Sequence, residues 1–186
     1  MKRYVILTVG KTHSGKSTFA RLLEERHTDT LVIDQDNHAE FINTHYKRLL
    51  PEEGPNTLKT AITQSIVDYA VKNTDSHLIL CNSNLNRNSR SRVLEYYHRE
   101  GFHSILVYFN LSDELLQQRI ACSARSTKIF RSASTFSEVF NRQNQDSDRQ
   151  NSLLPSKGEA DCLFVIEKPE DVPIVIDKII EMLKYQ

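Results

Sequence analysis

The sequence predicts an α/β fold of three layers, with helices on both faces of a five-stranded parallel sheet. Short apolar, β-branched runs alternate along the chain with segments of helical apolar spacing, which is the pattern of such a sheet. A glycine-rich run from Gly10 to Thr18 joins the first of these runs to the first helical segment. The 186 residues, 39% of them hydrophobic and 26% charged, favour one globular domain over residues 1–186.

Five apolar runs are predicted to be strands. They are Tyr4–Val9, Leu31–Asp34, Leu78–Cys81, Ile105–Phe109 and Cys162–Ile166. Each run is short and rich in β-branched or aromatic residues, as expected of strands buried on both faces. Parallel strands need crossover connections, so helices are expected between them.

The intervening segments have the apolar spacing and the end signals of helices. Predicted helices are Ser17–Glu25, Leu58–Tyr69, Ser91–Arg99, Asp113–Ala121 and Pro169–Leu183. Ser112 is the expected N-cap of the fourth, because a serine followed by acidic residues suits a helix N-terminus. Gly101 is expected to end the third.

The glycine-rich run fits the phosphate-binding pattern G-x-x-x-x-G-K-[ST], known as the P-loop. Its residues are Gly10-Lys11-Thr12-His13-Ser14-Gly15-Lys16-Ser17-Thr18. Between a strand and a helix, this pattern wraps backbone N–H groups around a phosphate at the positive end of the helix dipole. Lys16 is expected to reach the β and γ phosphates, and the Ser17 hydroxyl to ligate Mg²⁺. Gly10, His13, Ser14, Gly15 and Thr18 complete the predicted ATP site, with no side-chain chemistry assigned to His13.

Two carboxylates, Asp34 and Asp36, stand at the end of the second strand. Side chains two positions apart in an extended chain face the same way, so both are expected to point into the crevice above the sheet. One could organise the water bound to Mg²⁺, and the other could accept the proton of a phosphoryl acceptor. The alternative is that either residue only caps the following helix.

The segment from Ser123 to Lys157 interrupts the alternation of strands and helices. It is polar, and its only helical patch is Phe136–Phe140, behind a cap at Ser134 or Thr135. Its cations are Arg125, Lys128, Arg131, Arg142 and Arg149. It is either a surface loop or a lid that closes over the nucleotide and brings arginines to the transferred phosphoryl group.

Net charge and cysteine content limit the classes of function that the chain can have. The formal net charge is zero, so the chain as a whole is not drawn to nucleic acid or to an anionic membrane, although a local basic patch is compatible with it. Cys81, Cys122 and Cys162 are widely spaced, which favours neither a disulfide framework nor a zinc site. A reducing cytoplasm is the expected setting, since no signal peptide or membrane span is predicted.

The stretch after the third strand resembles a known family. Its residues are Cys81-Asn82-Ser83-Asn84-Leu85-Asn86-Arg87-Asn88-Ser89-Arg90-Ser91-Arg92. The stretch is similar to Asp-x-Thr-Asn-Leu-Asn…Arg of P-loop polynucleotide kinases, and Tyr96–Phe102 resembles the end of their next helix. The resemblance extends to the zeta-toxin, gluconate kinase and adenylylsulfate kinase groups. It implies that Asp36 is the catalytic base, that Arg119 lies against adenine, and that Arg125 and Arg131 are lid arginines.

Two positions depart from the family pattern. Asn82 stands where the family has an aspartate that holds a water on Mg²⁺, and Asp34 is the expected replacement. Ala39 stands where polynucleotide kinases carry an arginine for a substrate phosphate, which argues against a nucleic-acid 5′ end. The cluster of Arg87, Arg90 and Arg92 is either a second phosphate site or, more simply, a solvated helix start, and His38 and His45 are expected at the surface.

The sequence therefore predicts an ATP- and Mg²⁺-dependent kinase with Lys16, Asp36 and Arg125 as its catalytic residues. Its acceptor is a hydroxyl of a small molecule, a nucleoside or a nucleic-acid end. The alternative is a nucleotide-dependent switch or ATPase that acts through a protein partner.

Overall fold

Five parallel strands form the single sheet of a computed structural model that describes residues 2–131, 133, 135–149 and 154–184. The strands are β1 (Arg3–Val9), β2 (Thr30–Asp34), β3 (His77–Cys81), β4 (Phe102–Phe109) and β5 (Cys162–Ile166). Their order is β2-β3-β1-β4-β5, and every neighbouring pair is parallel. The predicted fold class is confirmed.

Helices connect the strands. They are α1 (Lys16–Arg26), α2 (Gln35–His45), α3 (Thr57–Asn73), α4 (Arg87–Arg99), α5 (Asp113–Ala121), α6 (Phe136–Arg149) and α7 (Asp171–Lys184). Asn56, Asn86 and Ser112 cap α3, α4 and α5, each accepting a hydrogen bond from a backbone N–H three residues on. None of the described helices is long and apolar enough to cross a membrane.

The sheet buries an apolar layer on each face because the side chains of its strands alternate. Ile6 of β1 packs in one layer, where α1 contributes Phe19 and α7 contributes Ile179. Leu7 packs in the opposite layer, with Val67 of α3 among its members. Apolar burial on both faces therefore fixes which helices cover which side.

The topology places a crevice at the carboxyl end of β1. In the sheet, β2 and β3 lie on one side of β1, and β4 and β5 lie on the other side. Ligands bind in open α/β sheets where the connections diverge in this way. A cavity of about 1580 Å³ lies there, lined by the loop after β1 and by residues of α2 to α6.

Part of the polar segment is more ordered than its sequence predicts. The helix α6 extends from Phe136 to Arg149, whereas only Phe136–Phe140 was predicted as helical. Phe140 is 2% exposed and belongs to the apolar layer that contains Phe19. The expected cap is confirmed for Thr135, whose hydroxyl accepts the Glu138 N–H at 3.2 Å, and Ser134 lies outside the described residues. The segment is therefore anchored to the core by α6.

Candidate active site

The loop between β1 and α1 adopts a backbone conformation that requires glycine at two positions. Gly10 has φ +155°, and a Cβ there would lie 3.0 Å from both Phe109 Cβ and Ser14 Oγ. Gly15 is the N-cap of α1 and has φ +98°, in the left-handed region that other residues rarely adopt. A side chain at Gly10 would clash with its neighbours, and one at Gly15 would strain the turn into the helix.

The first turn of α1 presents backbone N–H groups to the cavity. Among the described residues, no hydrogen-bond acceptor lies against the N–H groups of positions 15–18. These are the donors that a helix leaves unsatisfied at its N-terminus, where the dipole also favours negative charge. The arrangement fits the phosphates of a nucleotide.

Lys16 lies at the centre of this loop. Its ammonium donates to the Lys11 carbonyl at 2.6 Å and to Ser14 Oγ at 3.1 Å, within the curve that the backbone makes. Burial lowers the pKa of Lys16 to about 8. A phosphate in the loop would favour the charged form and supply the acceptors that an ammonium needs.

Ser17 faces the end of the neighbouring strands. Its hydroxyl donates to Asp34 Oδ2 at 2.9 Å, and the Cys81 thiol lies 3.4 Å from the same hydroxyl oxygen. A hydroxyl and a carboxylate oxygen are ligands of the kind that Mg²⁺ prefers, so Ser17 and Asp34 fit a magnesium site. Burial raises the pKa of Cys81 to about 11, so that the thiol is uncharged at neutral pH.

The prediction that Asn82 occupies the position of the family's metal-side aspartate is wrong. Cys81, rather than Asn82, stands opposite Asp34 in the strand register and contacts Ser17. The backbone carbonyl of Asn82 accepts a hydrogen bond from Thr8 Oγ1 at 3.3 Å. The strand β3 ends at Cys81, so Asn82 belongs to the loop that follows it. Counting back from Ser83 in the Asp-x-Thr-Asn-Leu-Asn pattern would have identified position 81.

The prediction that Asp34 and Asp36 face the same way along an extended chain is wrong. The strand β2 ends at Asp34 and α2 begins at Gln35, so Asp36 belongs to a helical turn instead of an extended chain. Asp34 is buried and caps α2 by accepting the Asp36 N–H at 2.9 Å, while also accepting from Ser17. Asp36 lines the cavity, and its Oδ2 lies 2.7 Å from Arg125 Nη2. The two carboxylates thus occupy different environments.

Of the predicted arginines, Arg119 contacts the P-loop, whereas Arg125 contacts α2 and Arg131 contacts the α2–α3 loop. Arg119 of α5 donates to the His13 carbonyl at 3.1 Å, and Arg125 pairs with Asp36. Arg131 donates to backbone carbonyls of the α2–α3 loop, at Pro51 and Gly54. Arg142 lines the cavity, and the side chain of Arg149 lies outside the described residues.

His13 has a contact that the sequence did not suggest. Its Nε2 lies 2.8 Å from Ser123 Oγ, and its ring packs edge-on against Phe136 with centroids 4.6 Å apart. Nearby, the Thr12 N–H donates to Gln143 Oε1 at 2.8 Å. The P-loop therefore touches the start of the polar segment and the helix α6.

The basic cluster at the start of α4 divides into residues with different roles. Arg90 is 1% exposed and forms a two-point ion pair with Glu159, at 2.6 and 3.1 Å. Its Nη1 also donates to the carbonyls of Asn84 and Leu85, at 2.9 and 2.8 Å. Arg90 is thus neither solvated nor a phosphate ligand, whereas Arg92 lines the cavity.

The histidines form no metal centre in the described part of the chain. His38 is half-buried, with Nδ1 lying 2.8 Å from Thr63 Oγ1, so α2 is tied to α3. His45 is exposed, as predicted. No group of three His, Cys, Asp or Glu residues that could hold a metal occurs among the described residues.

Comparison with known proteins gives a family and a fold. A family model described as an AAA domain, AAA_33, matches residues 5–149, whereas no curated protein matches the sequence. The fold is similar to that of a kinase-assigned protein from Chloroflexus aurantiacus, with a TM-score of 0.66, 16% identity and 98% and 97% of the two chains covered. It is similar to Chaetomium thermophilum Kti12 in complex with ADP-AlF3, with a TM-score of 0.62, 16% identity and 95% and 97% covered. It is also similar to Mycobacterium tuberculosis APS kinase CysC with AMPPNP and APS, with a TM-score of 0.57, 13% identity and 98% of each chain covered.

Proposed function

Since this chain belongs to the AAA domain family AAA_33 and has a P-loop kinase-like fold, we propose that it is an ATP-dependent kinase acting on a hydroxyl acceptor. One observation carries the proposal. Lys16, Ser17 and Asp36 line the same cavity, so a phosphate-binding loop and a carboxylate suited to accept a proton face one space. The APS kinase of similar fold was seen with AMPPNP and APS, a nucleotide analogue and a second molecule.

The nucleotide phosphates would be held by the loop. The N–H groups at positions 15–18 and the Lys16 ammonium supply donors and positive charge for them. Arg119, which reaches the loop from α5, would lie beside the adenine end. Ser17 and Asp34 would hold Mg²⁺, which neutralises negative charge on the phosphates as it develops.

Asp36 would act on the acceptor. Its Oδ2 is paired with Arg125, and its Oδ1 has no hydrogen-bond partner among the described residues. A hydroxyl placed against Oδ1 would give its proton to the carboxylate while its oxygen bonds to the γ phosphorus. The bond from that phosphorus to the bridging oxygen breaks, and its electron pair leaves with ADP. Arg125 would offset charge on the transferred group.

The compartment is part of the same proposal. The three cysteines are all unpaired, with Cys81 buried and Cys122 exposed. Unpaired cysteines are typical of proteins in a reducing cytoplasm.

The test is formation of a phosphorylated product. The protein is incubated with MgATP and a library of sugars, nucleosides, hydroxy acids and 5′-hydroxyl oligonucleotides, and products are detected by mass. We expect acceptor-dependent ADP formation that Lys16→Ala abolishes, because the ammonium that meets the phosphates is lost. ADP formation that depends on a protein partner and yields no phosphorylated product would instead support a switch or ATPase.

A further inference from the structure

The cavity above the sheet is far more cationic than the chain that forms it. Among the described residues that line it, eight are Lys or Arg, and Asp36 is the one carboxylate. The chain as a whole has 24 Lys and Arg against 24 Asp and Glu. The positive charge is therefore concentrated in this cavity, where walls of low dielectric constant strengthen its attraction for anions.

A nucleotide accounts for the cations on one side of the cavity. Lys16 lies in the P-loop, Arg119 touches that loop from α5, and Arg142 lies on α6. The helices α5 and α6 bury Leu116 and Phe140 in the apolar layer that contains Phe19, so both lie on that face of the sheet. Arg125, which pairs with Asp36, marks the boundary with the other side.

Of the other cations that line the cavity, two come from helices α3 and α4, which pack in the apolar layer on the opposite face of the sheet. Lys59 is half-buried in the first turn of α3, and Arg92 is on α4. Neither forms an ion pair with a described carboxylate. The helix dipole disfavours a cation in the first turn of a helix, so Lys59 is placed at an electrostatic cost. An anion in this part of the cavity would remove that cost.

The helices α3 and α4 also contribute apolar residues to the lining of the cavity. Val67 of α3 and Tyr97 of α4 line the cavity and are 6% and 2% exposed. Val93 and Tyr96 are half-buried beside them and also line it. Such a wall favours a ring or a short hydrocarbon chain. The cavity volume of about 1580 Å³ exceeds the roughly 300–1,000 Å³ of a pocket for one small molecule.

We infer that the acceptor is a small molecule that carries an anionic group beside an apolar body, with Lys59 and Arg92 binding the anion. The anion is a carboxylate, sulfate or phosphate ester, and the acceptor hydroxyl faces Asp36. The inference rests on the proposed function and names its substrate class. A longer polyanion such as nucleic acid is disfavoured, because the exposed Glu52 and Glu53 lie in the loop that Arg131 contacts at the cavity.

Binding of a matched pair of probes tests the inference without catalysis. Anilinonaphthalene sulfonate is an anion with an aromatic body, and phenylnaphthylamine is its uncharged parent. Both are titrated by fluorescence in the presence of Mg²⁺ and saturating AMPPNP, so that the nucleotide side is filled. In the double variant Lys59→Gln/Arg92→Gln, we expect the sulfonate Kd to rise about tenfold or more, since two charge-assisted contacts are lost.

Matched controls lie on the same helices but outside the cavity. Lys72→Gln on α3 and Arg99→Gln on α4 change exposed cations that do not line it, and should leave the sulfonate Kd unchanged. The uncharged probe should bind all variants alike, since it lacks the sulfonate that Lys59 and Arg92 would contact. Equal sulfonate binding by wild type and double variant, or no saturable sulfonate binding, would overturn the inference.

The outcomes separate this inference from the proposed function. ATP-dependent phosphorylation confined to uncharged compounds would overturn the anionic acceptor and leave the kinase intact. Sulfonate binding that depends on Lys59 and Arg92, without phosphorylation of any hydroxylated carboxylate, sulfate or phosphate, would overturn the kinase and leave the anion site.

Discussion

At the scale of single residues, the pairing of Asp36 with Arg125 makes a specific prediction about turnover. Asp36→Asn keeps the shape of the side chain but cannot accept a proton from the acceptor. We expect kcat to fall about 10²–10⁴-fold with AMPPNP affinity nearly unchanged, since a positioned base has about that effect. Asp75→Asn, at an exposed position outside the cavity, is the matched control. A turnover within about tenfold of wild type would rule out Asp36 as the base.

The contact between Cys81 and Ser17 predicts how the magnesium site can be altered. A carboxylate at position 81 would face the Ser17 hydroxyl and Asp34, and would add negative charge where a thiol is uncharged. Cys81→Asp should therefore lower, by about fivefold to tenfold, the Mg²⁺ concentration needed for tight AMPPNP binding in calorimetry. Cys81→Asp should also partly compensate Asp34→Asn.

Asn82→Asp is the control for this change. It adds the same charge one residue further on, beyond the end of β3 and without the contact that Cys81 makes with Ser17. We expect a smaller effect on the Mg²⁺ requirement. If Asn82→Asp acts as strongly as Cys81→Asp, the assignment of Cys81 to the metal side is incorrect.

At the scale of elements, the ion pair of Arg90 and Glu159 joins the start of α4 to the segment before β5. Arg90 also holds the carbonyls of Asn84 and Leu85, so the loop that follows β3 is fixed by this clamp. Glu159→Leu would leave a buried guanidinium without its counter-charge. We expect the free energy of unfolding in urea to fall by about 3–5 kcal/mol. Glu95→Leu, at an exposed position of α4, should change it by no more than about 0.5 kcal/mol.

The polar segment contains two parts that should respond differently to nucleotide. The helix α6 is anchored by Phe140 in the core, whereas the stretch around Arg125 and Lys128 is exposed. Hydrogen exchange should show amides near Phe140 protected with or without nucleotide, and amides of residues 123–131 protected after MgAMPPNP is added. Unchanged exchange over 123–131 would contradict a lid.

At the scale of the whole molecule, one buried histidine should govern acid stability. His77, at the start of β3, is 1% exposed, and its Nδ1 accepts the Tyr4 N–H at 3.1 Å. Burial, with His27 nearby, lowers the pKa of His77 from 6.5 to about 4. The unfolded chain therefore binds more protons between these values, and stability is complete above the unfolded pKa and is lost as the pH falls toward the folded one.

The direction of this pH dependence predicts the effect of replacing the imidazole ring of His77. Between about pH 7.5 and about pH 5, the His77 contribution to the free energy of unfolding should fall by about 2 kcal/mol. His77→Asn retains an acceptor for the Tyr4 N–H but does not titrate, so urea unfolding of this variant should depend less on pH by that amount. The same pH dependence in both proteins would show that His77 does not control acid stability.

The sequence predicts those features that depend on short stretches of chain. The strands follow from apolar runs, and the P-loop follows from Gly10, Gly15, Lys16 and Ser17 between a strand and a helix. Both depend on local backbone preference and on the period of the side chains, which neighbouring residues encode. The three-layer parallel fold could therefore be predicted, and the structure confirms it.

The tertiary structure alone decides which distant side chains meet. Arg90 and Glu159 are 69 positions apart in the chain, and Arg125 and Asp36 are 89 apart. From the sequence, Arg90 is either a phosphate ligand or a solvated residue at a helix start, and His13 has no predicted partner. The contact of Cys81 with Ser17 is not predicted either. Each of these contacts depends on strand order and helix packing, which are set by the burial of many apolar side chains together and are not encoded by the residues that meet.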